Sequence, residues 1–136
     1  MSENSDKIPI NINIFDCGTI KATLYRHLSP FSLTEIVEKL PLTIRGRFNF
    51  VGSKTHWMLS QIGISIGPDS KSGHSVNKGD IVYCPQTDSV YIFIENDKLQ
   101  AKMNKIGKVD NLDDLELFKS VKNGTNTELK LSLIEL

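Results

Sequence analysis

"GDIVYCPQTDSVYIFIE", residues 79 to 95, reads as two strands joined by a short polar turn at "PQTD". A strand with one wet face alternates apolar and polar residues. Here Ile81, Val82, Tyr83 and Cys84 are followed across the turn by Val90, Tyr91, Ile92 and Phe93, with no alternation. Both faces of the hairpin must therefore be buried. A closed antiparallel barrel meets that requirement, because one face fills the interior while a helix or loop covers the other.

The flanking sequence supports the same architecture. Ile8, Ile10, Ile12 and Ile14 alternate with Pro9, Asn11, Asn13 and Phe15, a period-two strand. Asp16, Cys17 and Gly18 make a turn, and Ile20, Ala22 and Leu24 continue the apolar face, which predicts a hairpin. In "SLTEIVEKLP", residues 32 to 41, the period changes. Ser32 and Glu35 stand in capping-box spacing, Leu33, Ile36, Val37 and Leu40 form a helical stripe, and Pro41 ends it. From Leu42 the period is two again: Leu42, Ile44, Gly46, Phe48 and Phe50 share one face, and Thr43, Arg45, Arg47 and Asn49 the other.

"THWMLSQIGISI" is a further strand region of mixed parity, and "GPDSKSGHSVNKG", residues 67 to 79, is a long polar loop. After the opening hairpin come a polar link and a strand from about Met103 to Val109. A second helix is predicted in "NLDDLELFKSVKNG", capped by Asn111, with Asp113, Asp114 and Glu116 at its positive end and Asn123-Gly124 as the stop. The chain closes on "TELKLSLIEL", again alternating. The expectation is a mainly β fold: a small β-barrel of roughly eight short strands with two short helices and no βαβ units. Residues 1–7 read as a disordered tail and 8–136 as one domain.

Composition narrows function. The 136 residues carry 16 Lys+Arg against 16 Asp+Glu, which argues against a general nucleic-acid binder, since such binding needs many uncompensated cations. The polar "MSENSDK" start has no signal pattern, and no apolar run approaches the ~20 residues of a membrane helix, so a cytoplasmic location without a membrane partner is expected. Cys17 and Cys84 read as reduced, space-filling thiols, with a disulfide between them as the alternative. His27, His56 and His74 are scattered without ligand spacing, and no nucleotide or hydrolase motif occurs, so neither metal nor cofactor is expected.

The order of motifs resembles the small prokaryotic cyclophilin-like proteins. "GDIVYCPQTDSVYIFI" is similar to their signature of Gly-Asp, an apolar-aromatic strand, a turn with Pro and an apolar strand. "IGKVDNLDDLELFKSVKNG" with the final strand is similar to the closing segment of cyclophilins generally. The resemblance covers about residues 8 to 136 and implies a closed eight-stranded barrel capped by two helices. It departs at "FVGSKTHW", where Val51 replaces an expected aromatic and Ser53 or Lys54 an expected carboxylate.

Cyclophilins are prolyl isomerases, which lower a barrier of ~18–20 kcal/mol set by amide resonance. The resemblance implies an outward Arg that donates toward the proline nitrogen, a role open to Arg47 or to Arg45 on the same face. Asn49, His56 and Trp57 are candidates for a polar and aromatic rim. Cys84, Val90 and Ile92 stand where the family has small, amide and aromatic pocket residues, keeping an apolar groove but removing the amide that orients a peptide. Three readings follow: a barrel that binds a peptide or small ligand in an outer groove without efficient catalysis, a weak prolyl isomerase using Arg47, and a protein-interaction or assembly module. The sequence specifies no oligomeric state.

Overall fold

The computed structural model describes residues 6–48, 54–69 and 73–132. In chain order these form β1 (Lys7–Ile14), β2 (Gly18–Tyr25), α1 (Pro30–Lys39), β3 (Leu42–Phe48), β4 (His56–Leu59), β5 (Gly73–Val76), β6 (Asp80–Cys84), β7 (Ser89–Phe93), β8 (Asp97–Val109), a 3-10 helix (Leu112–Ser120) and β9 (Asn126–Leu131). Eight strands run in the order β2-β1-β9-β3-β4-β7-β6-β8, and pairing of β2 with β8 closes the ring. All these pairs are antiparallel. β5 lies outside the ring, paired to β8 alone. The eight-stranded mainly β fold expected from the sequence is the observed one.

The interior is filled by alternate residues of the ring. Ile10, Ile12, Ile20, Leu24, Trp57, Ile92 and Ile106 pack there with Leu33 and Ile36 of α1. The residual void among Ile12, Leu24, Ile81 and Ile106 is about 10 Å³, room for one water at most. Among the described residues the barrel interior is a packed core.

The hairpin at residues 79 to 95 divides its apolar residues between two cores. Ile81, Tyr83, Val90 and Ile92 face the interior. Val82, Cys84, Tyr91 and Phe93 face outward, into a second cluster with Val76 of β5 and Met103, Leu99 and Ala101 of β8. The first half of β8 and β5 thus form an arm laid over the outer face of β6 and β7. This is why both faces are apolar.

β8 begins at Asp97, where the sequence suggested a polar link. Its Lys98, Gln100 and Lys102 are exposed while Leu99, Ala101 and Met103 turn inward to the arm's core, so the charges mask a half-buried strand. A bulge at Ile106 lies between the pairs Ile81–Gly107 and Val82–Lys105. The extra residue lets Ile106 and Gly107 both face the interior. Gly107 sits on the closing seam: a Cβ there would lie 2.3 Å from the Thr23 carbonyl oxygen of β2.

Other boundaries shift for identifiable reasons. α1 starts at Pro30 rather than at Ser32. Proline is pre-set for the first helical position, and Ser29 takes the N-cap place without a side-chain capping bond. Ser32 is fully buried, bonded to Asn104 instead of capping. Asn111 caps as expected, accepting from the Asp113 N–H at 3.0 Å, but the segment winds as a 3-10 helix. β1 begins inside the expected tail, and the Asp6 carboxylate receives the His27 backbone N–H at 2.7 Å. Residues 1–5 lie outside the described part. Only His56–Leu59 of the mixed-parity region is strand. Cys17 and Cys84 are both free thiols. Among the described residues no helix is long and apolar enough to cross a membrane, and no three His, Cys, Asp or Glu side chains converge as a metal site.

Candidate functional site

The structure separates the residues singled out from the sequence. Arg45 and Arg47 do share the outer face of β3, Arg45 exposed and Arg47 half-buried, and Arg47 pairs with Met58 of β4. His56 and Trp57 are consecutive on β4 and so point to opposite faces. Trp57 is wholly buried in the interior, where its indole N–H donates to Thr127 Oγ1 at 3.0 Å. It fits there because residue 46 is glycine: a Cβ would lie 2.2 Å from the indole.

Val90 and Ile92 also face the interior, whereas Cys84 lies beneath the β5–β8 arm. The two-residue period sets these placements: among the described residues His56 and Cys84 point outward, whereas Trp57, Val90 and Ile92 point into the interior. Asn49, Val51 and Ser53 lie outside the described residues. Lys54 places its ammonium 4.7 Å from the centre of the Phe48 ring.

His56 is outward yet buried, stacked on Tyr91 with ring centres 4.5 Å apart and tilted against Phe93 at 4.9 Å. Burial pushes its pKa down to about 4, against a smaller opposing pull from Asp97. It is a neutral packing histidine at ordinary pH.

An open concavity forms elsewhere, at the end of the barrel beside α1. His27, Leu28, Pro30 and Phe31 make one wall and Ser65 to Asp69 the other, enclosing about 730 Å³. Phe31 is 76% exposed, the most exposed large apolar side chain among the described residues. A second depression of about 570 Å³ lies across the Ser65–Pro68 segment, bounded by Pro85, Gln86, Asp88, Ala101 and Lys102. A third, of about 260 Å³, lies between Lys54, Lys78 and the 3-10 helix. Arg45 and Arg47 border none of the three.

Polar contacts fix both walls of the first cleft. Asn104 of β8, fully buried, donates to Ser32 Oγ of α1 and to the Gly67 carbonyl, each at 3.1 Å. Its Oδ1 accepts the Asp69 N–H at 3.2 Å. Ser29 Oγ donates to the Asp69 carboxylate, tying the helix cap to the opposite wall. At the cleft's edge the Asp6 carboxylate meets His27 Nδ1 at 2.6 Å. Partial desolvation opposes ionisation of Asp6, but the His27 N–H and imidazole more than offset it and hold the carboxyl below its ordinary value.

The Ser65–Asp69 wall has no strand or helix of its own, so its backbone groups need other partners. Asn104 serves its far end, and Asp88 with Tyr83 serves its near end and the two residues that lead into it. Asp88 Oδ2 accepts the Gly63 N–H at 2.7 Å, and its Oδ1 accepts those of Ile64 at 3.2 Å and Ser65 at 3.0 Å. The Tyr83 hydroxyl donates to Asp88 at 2.5 Å and accepts the Ile66 N–H at 3.3 Å. Burial alone would raise the Asp88 pKa; the Tyr83 hydroxyl and these N–H groups outweigh it and lower it. Burial and the bond to Asp88 push the Tyr83 pKa up to about 12, so its hydroxyl stays protonated.

Sequence reasoning passed over Asn104, Asp88 and Phe31. Phe31 carried a signal, an aromatic in the polar run before a helix. Asn104 acquires its partners from segments far away in the chain, and so does Asp88 apart from Tyr83 on its own hairpin.

Several solved structures share this fold. The hypothetical protein AF2241 from Archaeoglobus fulgidus superposes with a TM-score of 0.74 at 16% identity, covering 97% of this chain and 100% of that one. McbB in complex with tryptophan gives 0.69 at 14% identity, covering 93% of this chain and 46% of that one. A cyclophilin-type peptidyl-prolyl cis-trans isomerase from Cryptosporidium parvum gives 0.62 at 11% identity, covering 95% and 99%. No curated protein matches the chain. The model of the Cyclophilin-like family matches residues 13–132, nearly the whole ring and both helices. By that match the chain belongs to the Cyclophilin-like family.

Proposed function

We propose that this protein binds a small organic ligand or a short peptide segment in the cleft between α1 and residues 65 to 69, without efficient catalysis. The observation that carries this is the cleft itself: about 730 Å³, with the exposed Phe31 ring on one wall and hydrogen-bonded polar groups fixing the other. That volume lies within the roughly 300–1,000 Å³ of typical ligand sites, and an apolar wall with a few placed polar groups is their usual composition. The interior void among Ile12, Leu24, Ile81 and Ile106 is too small to compete, at about 10 Å³. McbB, of similar fold, is known with tryptophan bound, which supports a small aromatic molecule as a first probe.

The test is a two-dimensional amide NMR titration with L-tryptophan and, separately, the peptide Ala-Ala-Pro-Phe. Shifts concentrated at Phe31, Ile66 and Gly67, and weakened in Phe31→Ala, are the expected result. Absence of shifts there with both probes would sink the reading and favour an assembly role.

Prolyl isomerisation with Arg47 as the donor is the second reading, favoured by the outward, half-buried placement of Arg47 beside Met58. Against it, Val90 and Ile92 face the interior and the outer face of β6 and β7 lies under the arm. A misplaced substrate costs ~100-fold even when the catalytic group is present. Exchange NMR on X-Pro peptides, without a coupling protease, is expected to show little acceleration. Strong acceleration abolished by Arg47→Ala and retained in Arg45→Ala would establish the isomerase instead.

A further inference from the structure

The segment from Gln61 to Ile66 follows an unusual path. Gln61, Gly63 and Ser65 all have positive φ, at 61°, 92° and 50°. Alternation of this kind turns successive N–H groups toward one side of the chain, a concavity that suits an anion. Here the anion is internal. Gly63, Ile64 and Ser65 all donate to the Asp88 carboxylate, and Ile62 donates to the Asp88 carbonyl at 2.9 Å. Asp88 itself has φ of 53°, a conformation in which Asp and Asn are the least strained of the non-glycine residues.

This segment leads directly into Ser65–Pro68, the partition between the 730 Å³ and 570 Å³ depressions. Asn104 holds the far end of the partition through Gly67 and Asp69. Among the described residues, Asp88 and Tyr83 accept the N–H groups of the near end.

We propose that Asp88 is a positioning residue: its carboxylate latches residues 63 to 65 and thereby sets the shape of the cleft wall and the affinity of its ligand. The proposal rests on the cleft being the binding site, but the latch is measurable without any ligand. Tyr83 completes the latch by carrying the Ile66 N–H to the same carboxylate.

The experiment compares the full chain with Asp88→Gly, Asp88→Asn and Tyr83→Phe. Glycine accepts the positive φ, so Asp88→Gly removes the carboxylate without adding backbone strain. Asparagine keeps one acceptor oxygen and the same backbone preference. Amide hydrogen exchange at Gly63, Ile64 and Ser65 is expected to accelerate at least tenfold in Asp88→Gly and by less in Asp88→Asn. Amides shared by β1 and β9 serve as the reference and are expected to be unchanged. Added formate, a free carboxylate, is expected to restore part of the protection in Asp88→Gly, which a merely structural loss would not allow. Tyr83→Phe is expected to expose the Ile66 amide selectively.

Titration with the same two probes then reads affinity, expected to weaken at least fivefold in Asp88→Gly. Unchanged exchange at 63 to 65 in Asp88→Gly, or acceleration that formate leaves untouched, overturns the latch. Faster exchange with unaltered probe affinity overturns its part in binding. Failure of the unmodified protein to bind either probe counts against the cleft as a ligand site, and the exchange result still decides the latch.

Discussion

The side chain of Asn104, at the middle of β8, donates to Ser32 Oγ in the first turn of α1 at 3.1 Å, with both residues fully buried. Through the same amide it reaches Gly67 and Asp69, so one side chain ties the helix to the opposite wall of the cleft. Asn104→Leu keeps the volume but leaves the Ser32 hydroxyl, the Gly67 carbonyl and the Asp69 N–H short of a partner. Each unsatisfied buried group costs about 1–3 kcal/mol. A loss of about 2 kcal/mol or more is expected in urea unfolding, with the largest native-state shift changes at Ser32 and Gly67.

Gly46 and Trp57 form a second fitted pair, and both lie in the core. Gly46→Ala would drive a methyl into the indole, and overpacking of this kind costs about 1–3 kcal/mol. A loss near the upper end is expected, because the indole is also fixed by its bond to Thr127. As Trp57 is wholly buried, its fluorescence should be blue-shifted and resist iodide quenching, and ligand in the cleft should leave it nearly unchanged. Strong quenching by iodide would contradict its placement.

His56 gives the protein an acid-sensitive stability. The folded state holds the neutral imidazole, with a pKa of about 4 against 6.5 for the free side chain. The unfolded chain therefore binds the extra proton between these values. Its contribution is fully present above pH ~6.5 and is lost as pH falls toward ~4, by on the order of 2 kcal/mol after allowance for solvent screening. Thermal midpoints measured from pH 7 to 4.5 should fall, and His56→Phe, which keeps a ring against Tyr91, should flatten that fall. An equal slope in the variant would place the sensitivity elsewhere.

Gly107 is where the ring closes. A Cβ there would meet the Thr23 carbonyl at 2.3 Å and the Leu24 side chain at 2.8 Å, both on β2. Backbone cannot yield as a flexible side chain does, so Gly107→Ala is expected to part β2 from β8 locally. Accelerated exchange of the amides of Thr23 to Tyr25, with those of β6 and β7 unaffected, is the result to look for. Undisturbed exchange across the seam would show that the strands can shift to accept a methyl.

The double-faced hairpin at residues 79 to 95 determined the architecture from sequence alone, because local alternation records which faces are buried. The isoleucine row of β1, the helical stripe of α1 and the cap at Asn111 were legible for the same reason: each depends on neighbours within a few residues. Period two also separates His56 from Trp57 and Val90 from Tyr91, information that the sequence held but that a shared rim would have violated.

The arm was hidden because Lys98, Gln100 and Lys102 are as polar as a loop, and only the outward Val82, Tyr91 and Phe93 give their apolar neighbours something to cover. The cleft was hidden more deeply. Asn104 meets Ser32 across 72 positions and Asp88 meets Gly63 across 25, and each side chain is an ordinary polar residue until the partner arrives. Periodicity reports burial, which every strand residue shares. A site is made by convergence of distant segments, and that is decided only when the ring closes and brings β8, the β6–β7 turn and α1 to the same end of the barrel.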